Sequence, residues 1–258
     1  MLRLTILASG SSGNAALLET EKRRWLVDAG ISARRLEERL LASGIEPASL
    51  SGVFLTHEHS DHSRGLRVFL RRHSLPLYCN ELTWLALAEE EKIDWRRLET
   101  ATRVVLEDLE IESFPVPHDA ADPVGFLFHH ANGTVGVVTD LGYATRLVLE
   151  KMSLCRALLL EANHDPGLLQ ADVRRPWPVK QRILSRHGHL SNESAAQIAV
   201  EMAQRRLQEV ILGHLSEDCN RPELVEGAIR ERLDRERLGP LPIRVWTEGS
   251  PAAPLCWE

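Results

Sequence analysis

The segment Val53-Phe54-Leu55-Thr56-His57-Glu58-His59-Ser60-Asp61-His62 constrains this 258-residue chain more than any other. An apolar, β-favouring run leads straight into His-x-His-x-Asp-His. It reads as a short buried strand followed by the loop that leaves its end. Three imidazoles and two carboxylates within six residues are poor core material, because each desolvated polar group needs a partner. They are good ligands: neutral imidazole nitrogen and carboxylate oxygen bind zinc, manganese or iron alike. In an extended segment His57 and His59 project to one side and can share one ion. Asp61 and His62 are adjacent and diverge, so they are better placed to serve a second ion.

Composition sets the frame. At 43% hydrophobic and 26% charged, the chain has a globular make-up and the length of one large α/β domain over residues 1–258. No apolar run approaches the ~20 residues needed to span a bilayer. Met1-Leu2-Arg3 runs into a strand rather than a signal peptide. Cys79, Cys155, Cys219 and Cys256 are scattered, with no CxxC pair and no disulfide framework, which points to a reducing cytoplasm. The net charge of −6 argues mildly against a nonspecific nucleic-acid coat and says little about a local patch.

Along the chain, strands are expected at 2–8, 15–19, 25–30, 77–79, 103–106, 109–115, 157–160, 209–212 and 243–247. A hairpin joins 124–129 to 134–139 across Asn132-Gly133. Helices are expected at 32–43, 65–73, 81–91, 145–152, 190–206 and 222–238, with a loose tail after Gly249. The recurrent event is a strand that ends in His or Asp: at His57 and His59, before His118, at Asp140 and at His214. Ligands at the ends of neighbouring strands converge at one edge of a sheet. Strands first and helix–strand units later suit two packed mixed β-sheets flanked by helices, an αββα four-layer sandwich.

Taken singly, His118 also reads as a loop residue, Asp140 as a turn former and His214 as a satisfied strand-end histidine. Ser9-Gly10-Ser11-Ser12-Gly13-Asn14 is either a tight turn that needs glycine or a backbone nest, with Asn14 near a phosphate. His164 either lines the site or turns the chain. Between Val173 and Asn192 there is no acid, and Arg174, Arg175, Lys180, Arg182 and Arg186 accompany Trp177. That run reads equally as a phosphate-tracking groove, with Arg182 a substrate contact, or as an ordinary basic loop packed on acidic helices.

Thr56-His57-Glu58-His59-Ser60-Asp61-His62 resembles the signature of the metallo-β-lactamase-fold hydrolases. With SGSSGN at 9–14, EANHD at 161–165, KQRIL at 180–184, GHLSN at 188–192 and LGHLS at 212–216, the chain is similar to their WalJ/YycJ branch. The resemblance implies two divalent ions, zinc, manganese or iron. His57, His59 and His118 would hold one, Asp61, His62 and His214 the other, and Asp140 would bridge them. Such a bridge is typical of the fold's phosphodiesterases and thioesterases. Asp28 is implied to support the metal loop by hydrogen bonding.

The branch implies a metal-dependent phosphodiesterase, a 5′-to-3′ exonuclease on double-stranded DNA. A metal-bound hydroxide would attack phosphorus. Asp61 would orient or deprotonate the water. His189, at a helix N-terminus, would bind the phosphate or protonate the leaving oxygen. The rival readings are a small-molecule or cyclic-nucleotide phosphodiesterase, a glyoxalase II-type thioesterase, and a DNA- or protein-binding module with structural metals.

Overall fold

The computed structural model describes residues 1–88, 93–248 and 255–257. In the first sheet, β1 (Leu2–Ala8), β2 (Ala15–Thr20) and β3 (Arg24–Val27) form an antiparallel meander. Next to β3, β4 (Val53–Phe54), β5 (Leu77–Cys79) and β6 (Trp95–Arg97) add in parallel. The second sheet repeats this plan. β7 (Arg103–Leu106), β8 (Leu109–Pro115), β9 (Val124–His130) and β10 (Gly133–Val138) are antiparallel. β11 (Ala157–Glu161), β12 (Glu209–Gly213) and β13 (Ile243–Val245) follow in parallel.

The two sheets pack face to face. Leu2, Leu4, Trp25 and Phe54 of the first meet Ile111, Phe126, Phe128 and Leu159 of the second in one buried cluster. Phe54 lies 5.7 Å from both the Phe126 and Phe128 rings. Each such buried side chain contributes roughly 1.5–3 kcal/mol of transfer free energy.

Helices cover the outer faces. α1 (Ala33–Ala42) and α3 (Leu66–His73) bury Leu36, Leu40, Phe69 and Leu70 on the first sheet, with the short α2 (Ser60–Ser63) and α4 (Glu81–Ala86) nearby in sequence. On the second sheet, α5 (Arg146–Met152), α8 (Asn192–Ala203) and α9 (Pro222–Arg235) bury Val148, Ala195, Ala199, Val225 and Ile229. The expected N-cap Ser191 accepts from Ser194 N–H, which satisfies one of the free donors of the first turn of α8.

Several features were not anticipated. α6 (Pro166–Ala171), α7 (Trp177–Ile183) and β6 lie in stretches with no clear periodicity. The helix expected over 81–91 ends at Ala86, and residues 89–91 lie outside the described residues. The expected loose tail is corrected by β14 (Leu255–Trp257), which pairs antiparallel with Leu2–Leu4 of β1. The edge of β1 offers unpaired backbone groups, and a short β-favouring segment can cap them.

The position of the site follows from this plan. β3 and β4 run parallel, as do β10, β11 and β12, so their carboxyl ends gather at one rim. Asp28, Thr56-His57, Asp140, Glu161 and His214 lie at or just beyond those ends. In open parallel sheets that rim is where ligands bind.

Candidate metal centre

Three groups of metal-ligand type converge on the rim, one of them Asp140, Glu161, His189 and His214, and the other two together hold every ligand nominated from the sequence. One ligand atom from each of His57, His59 and His118 lies within 4.8 Å of the others, and the same holds for Asp61, His62, Asp140 and His214. The ring centroids of His57 and His118 are 5.2 Å apart, and those of His62 and His214 are 5.8 Å apart. Every residue nominated as a ligand from the sequence is therefore in one of these two groups.

Local backbone conformation explains how strand ends aim these side chains. Asp28, Asp140 and His214 have φ values of +63°, +53° and +55°. The left-handed region costs an L-residue about 1–2 kcal/mol, and Asp, Asn and His tolerate it best. It turns the chain sharply where a strand ends. His59 is the N-cap of α2, so Asp61 and His62 fall on that helix's single turn.

Hydrogen bonds orient the rings. The Asp28 carboxylate accepts from Thr56 N–H at 2.9 Å, from Thr56 Oγ1–H at 3.0 Å and from His62 Nδ1–H at 2.8 Å. His118 Nδ1–H donates to Gly188 O at 3.1 Å, which leaves Nε2 facing the cluster. His214 N–H donates to Ser9 Oγ at 2.7 Å, and its Nδ1–H donates to Glu161 Oε1 at 2.8 Å. A partner on the outer ring nitrogen is what fixes a ligand histidine's tautomer and direction.

The electrostatics suit cations. Burial holds the His57 imidazolium well below its usual range, with His62 adding to the effect, and burial also lowers His118. These rings are neutral, as a ligand must be. Burial opposes charge on Asp140, but His214 and His62 outweigh it and hold the carboxyl far below its ordinary range. Asp61 is held down in the same way, chiefly by the hydrogen bond from His214 at 3.3 Å. Burial also opposes an imidazolium at His62, yet Asp140 and Asp28 carry it up to about 10. Its Nε2 lies 2.8 Å from Asp140 Oδ2 without the alignment of a hydrogen bond. A divalent cation in that place would meet the same carboxylate charge.

Two buried atoms within the clusters, His57 Nε2 and Asp140 Oδ2, have no hydrogen-bond partner. Unpaired polar atoms inside a protein are costly. A metal is the ligand that would satisfy a lone imidazole nitrogen and a lone carboxylate oxygen together, so the donor set fits divalent ions.

His189 stands beside both groups. Its ring centroid is 5.1 Å from His118 and 5.3 Å from His214, and its side chain is 22% exposed. Nδ1–H donates to Glu161 Oε1 at 2.7 Å. Burial disfavours its charge, but Glu161 outweighs burial and raises its pKa.

The remaining nominated residues are placed differently. Asn14 is buried: its Oδ1 accepts from Gly10 N–H, and its Nδ2–H donates to Gly10 O and Asp61 O. It ties the SGSSGN turn to the metal loop, 3.1 Å from His62 Nε2. His164 joins neither cluster. It is 1% exposed, both ring nitrogens lack partners, and burial lowers its pKa to about 4. Arg182 pairs with Asp119, the neighbour of His118.

Glu161 was missed. It is fully buried, its Oε1 accepts from His189 and His214, and its Oε2 accepts from Leu141 N–H at 2.9 Å and Leu190 N–H at 3.1 Å. Burial opposes its charge, but His189 and then His214 outweigh burial and hold its pKa at about 2. The available signal was an acid closing the wholly apolar strand Ala157–Glu161.

With two mixed sheets, helices outside and a histidine–aspartate rim, this is a hydrolase of the metallo-β-lactamase fold, and the chain belongs to the beta-lactamase superfamily, whose domain profile matches residues 23–214. Within that superfamily it is 36% identical over 245 residues to the exodeoxyribonuclease YycJ of Bacillus anthracis, covering 92% of this chain and 91% of the relative. It is 37% identical over 243 residues to the exodeoxyribonuclease WalJ of Streptococcus pneumoniae, covering 92% and 90%. The metallo-β-lactamase-fold protein YhfI of Bacillus subtilis superposes with a TM-score of 0.73 over 96% of this chain and 98% of its own, at 16% identity, a likeness of fold.

Proposed function

We propose that the protein is a metal-dependent phosphodiesterase that acts as a 5′-to-3′ exonuclease on double-stranded DNA. The observation that carries the reaction class is His189. Glu161 holds its Nδ1 proton, which leaves Nε2 for a substrate beside the two ligand clusters. The similarity to two exodeoxyribonucleases over 92% of the chain supports DNA as the substrate.

In this reading His57, His59 and His118 would hold one divalent ion, Asp61, His62 and His214 would hold a second, and Asp140 would serve as a ligand to both; zinc, manganese and iron all suit these donors. Bound there, the ions supply Lewis acidity and lower the pKa of a water. Asp61, kept ionised, orients that water or takes its proton. Protonated His189 donates from Nε2 to the oxygen that leaves, and Glu161 stabilises the imidazolium until then. Asp28 and Thr56 keep His57 and His62 from rotating. Residues 1–258 act as one domain, and the buried free thiols Cys79, Cys155 and Cys219 suit the cytoplasm. No helix among the described residues is long and apolar enough to cross a membrane.

A small-molecule phosphodiesterase is the second reading. It is favoured by the basic run, whose cations are mostly taken: Arg174 and Arg175 pair with Asp172 and Asp218, and Lys180 with Gln170 O.

The test compares 5′-labelled duplex DNA with bis(p-nitrophenyl) phosphate, with added manganese or zinc, for wild type and His59→Ala. Progressive degradation from one end that His59→Ala abolishes supports the exonuclease. Cleavage of the small diester alone supports the second reading. If neither is cleaved at full metal occupancy, both fail.

A further inference from the structure

The rim does not end at His214. β13 runs parallel to β12 as the next strand of the second sheet, and its carboxyl end leads into Trp246-Thr247-Glu248. Between these residues and the turn after β1 lies a cavity of about 440 Å³, whose lining includes Ser9, Ser12, Arg35, Ser216, Glu217 and Trp246. That is the size of a small-molecule pocket.

The cavity abuts the second ligand group. Leu215 and Ser216, in its wall, follow His214 directly. Ser9 Oγ accepts from His214 N–H at 2.7 Å. Gly10 N–H donates to Asn14 Oδ1 at 3.0 Å, and Asn14 Nδ2–H donates to Asp61 O at 3.3 Å. A Cβ at Gly10 would lie 3.2 Å from Leu215 O, so the turn after β1 and the loop after β12 meet there. Whatever fills the cavity therefore sits against the loops that carry Asp61 and His214.

The lining names the occupant. Trp246 is half-buried, packed against the core between the sheets while it also lines the cavity. Its backbone N–H donates to Leu212 O at 2.9 Å. An indole held from behind is a ready stacking surface. Around it, three guanidinium groups meet two carboxylates. Arg35 and Arg39 share Glu248, and Glu217 is the other acid. Arg64, three residues after Asp61, donates to Ser12 O at 3.2 Å, and no acid pairs with it among the described residues. A surplus cation suits a phosphate, a fixed aromatic face suits a flat base, and an exposed carboxylate accepts from the N–H groups of that base. One nucleotide carries all three.

We propose that this cavity is a nucleotide subsite, where the base next to the cleaved phosphate rests on Trp246 and a strand phosphate meets Arg64. It rests on the phosphodiesterase reading above and gives that site a nucleotide substrate.

The test follows hydrolysis of bis(p-nitrophenyl) phosphate by the metal-loaded enzyme, with deoxyguanosine monophosphate and inorganic phosphate as competing inhibitors. Both carry a phosphate to the ions, so the ratio of their inhibition constants reads what the nucleoside adds. In wild type the nucleotide should inhibit at about tenfold lower concentration, within the range of one base–aromatic stack. Trp246→Ala should bring the ratio close to one, and Trp246→Phe should keep most of it. Arg64→Gln, a change on an exposed side chain, should raise KM for end-labelled duplex DNA about threefold, the worth of one exposed ion pair. Arg34→Gln, an exposed arginine of α1 that pairs with Glu38 outside the cavity, is the control and should change neither value. Equal inhibition by nucleotide and phosphate in wild type overturns the subsite, and so does a wild-type ratio in Trp246→Ala. An unaltered KM in Arg64→Gln overturns the phosphate contact. If duplex DNA is not degraded while the ratio stays near ten, the exonuclease reading falls and the subsite stands. If the diester is not cleaved at full metal occupancy, the phosphodiesterase reading falls and takes the subsite with it.

Discussion

Glu161 shows how much one buried carboxylate can organise. Each of its oxygens accepts two N–H donors: His189 and His214 on one, Leu141 and Leu190 on the other. Glu161→Gln keeps the shape but replaces one oxygen with an NH2 group, so whichever way the amide turns, it sets donor against donor. The variant should bind metal about 10–100-fold more weakly and lose activity to a similar extent, as is usual when a partner behind a ligand histidine is lost. Metal titration followed by competition with a chromophoric chelator measures this. Wild-type metal affinity in Glu161→Gln would show that His214 is oriented by something else. His57, His59, Asp61 and His62 could be picked out in the sequence because they are adjacent. Glu161 could not, because its four donors come from residues 20 to 53 positions away.

Among the elements, the loops that follow β1, β3 and β4 work as one unit. Asn14 N–H donates to Asp61 O at 2.7 Å, Gly30 N–H to Asn14 O at 2.8 Å and Ala29 N–H to His62 O at 2.8 Å. Such closeness needs glycine. A Cβ at Gly30 would sit 1.7 Å from Asp61 O, and one at Gly13 would sit 2.6 Å from Gly30 O. Both neighbours are backbone and cannot swing aside. Gly30→Ala should therefore push the Asp61–His62 turn outward and destabilise the fold by about 2–4 kcal/mol, the range expected of overpacking and lost loop hydrogen bonds. Urea denaturation of the metal-free protein checks it, since any loss must then come from the loops. A midpoint equal to wild type would mean that the loops have slack. The SGSSGN turn does need glycine at positive φ, as its composition suggested, with Gly10 at +130° and Gly13 at +149°. Its second constraint, the contact with Gly30, involves a residue beyond the next two strands and left no trace in the local pattern.

For the whole molecule, the rim gathers carboxylates and imidazoles from both sheets, so ions bound there would link the two halves of the sandwich. They bind the folded chain and not the unfolded one, which stabilises it by ~3 kcal/mol at a hundredfold excess over Kd. For a chain of this size, complete chelation should lower Tm by roughly 5–10 °C, and restored zinc or manganese should recover it. Calorimetry before and after chelation, with metal content measured in parallel, decides the matter. An unchanged Tm after verified depletion would count against ions that bridge the sheets.

Most of the order of elements, the sandwich they build and the histidines and aspartates nominated at its rim could be read from the chain and its family resemblance, because strand periodicity, turn residues and a polar residue at a strand end are local signals; α6, α7 and β6 could not. Pairing across the molecule was different. That β14 closes the edge of β1, that Asn14 faces inward on the metal loop, and that Glu161 joins His189 to His214 all depend on which segments lie side by side. Local sequence encodes conformation residue by residue, whereas the partners of a buried polar group are chosen only when distant loops pack, and that choice belongs to the tertiary structure.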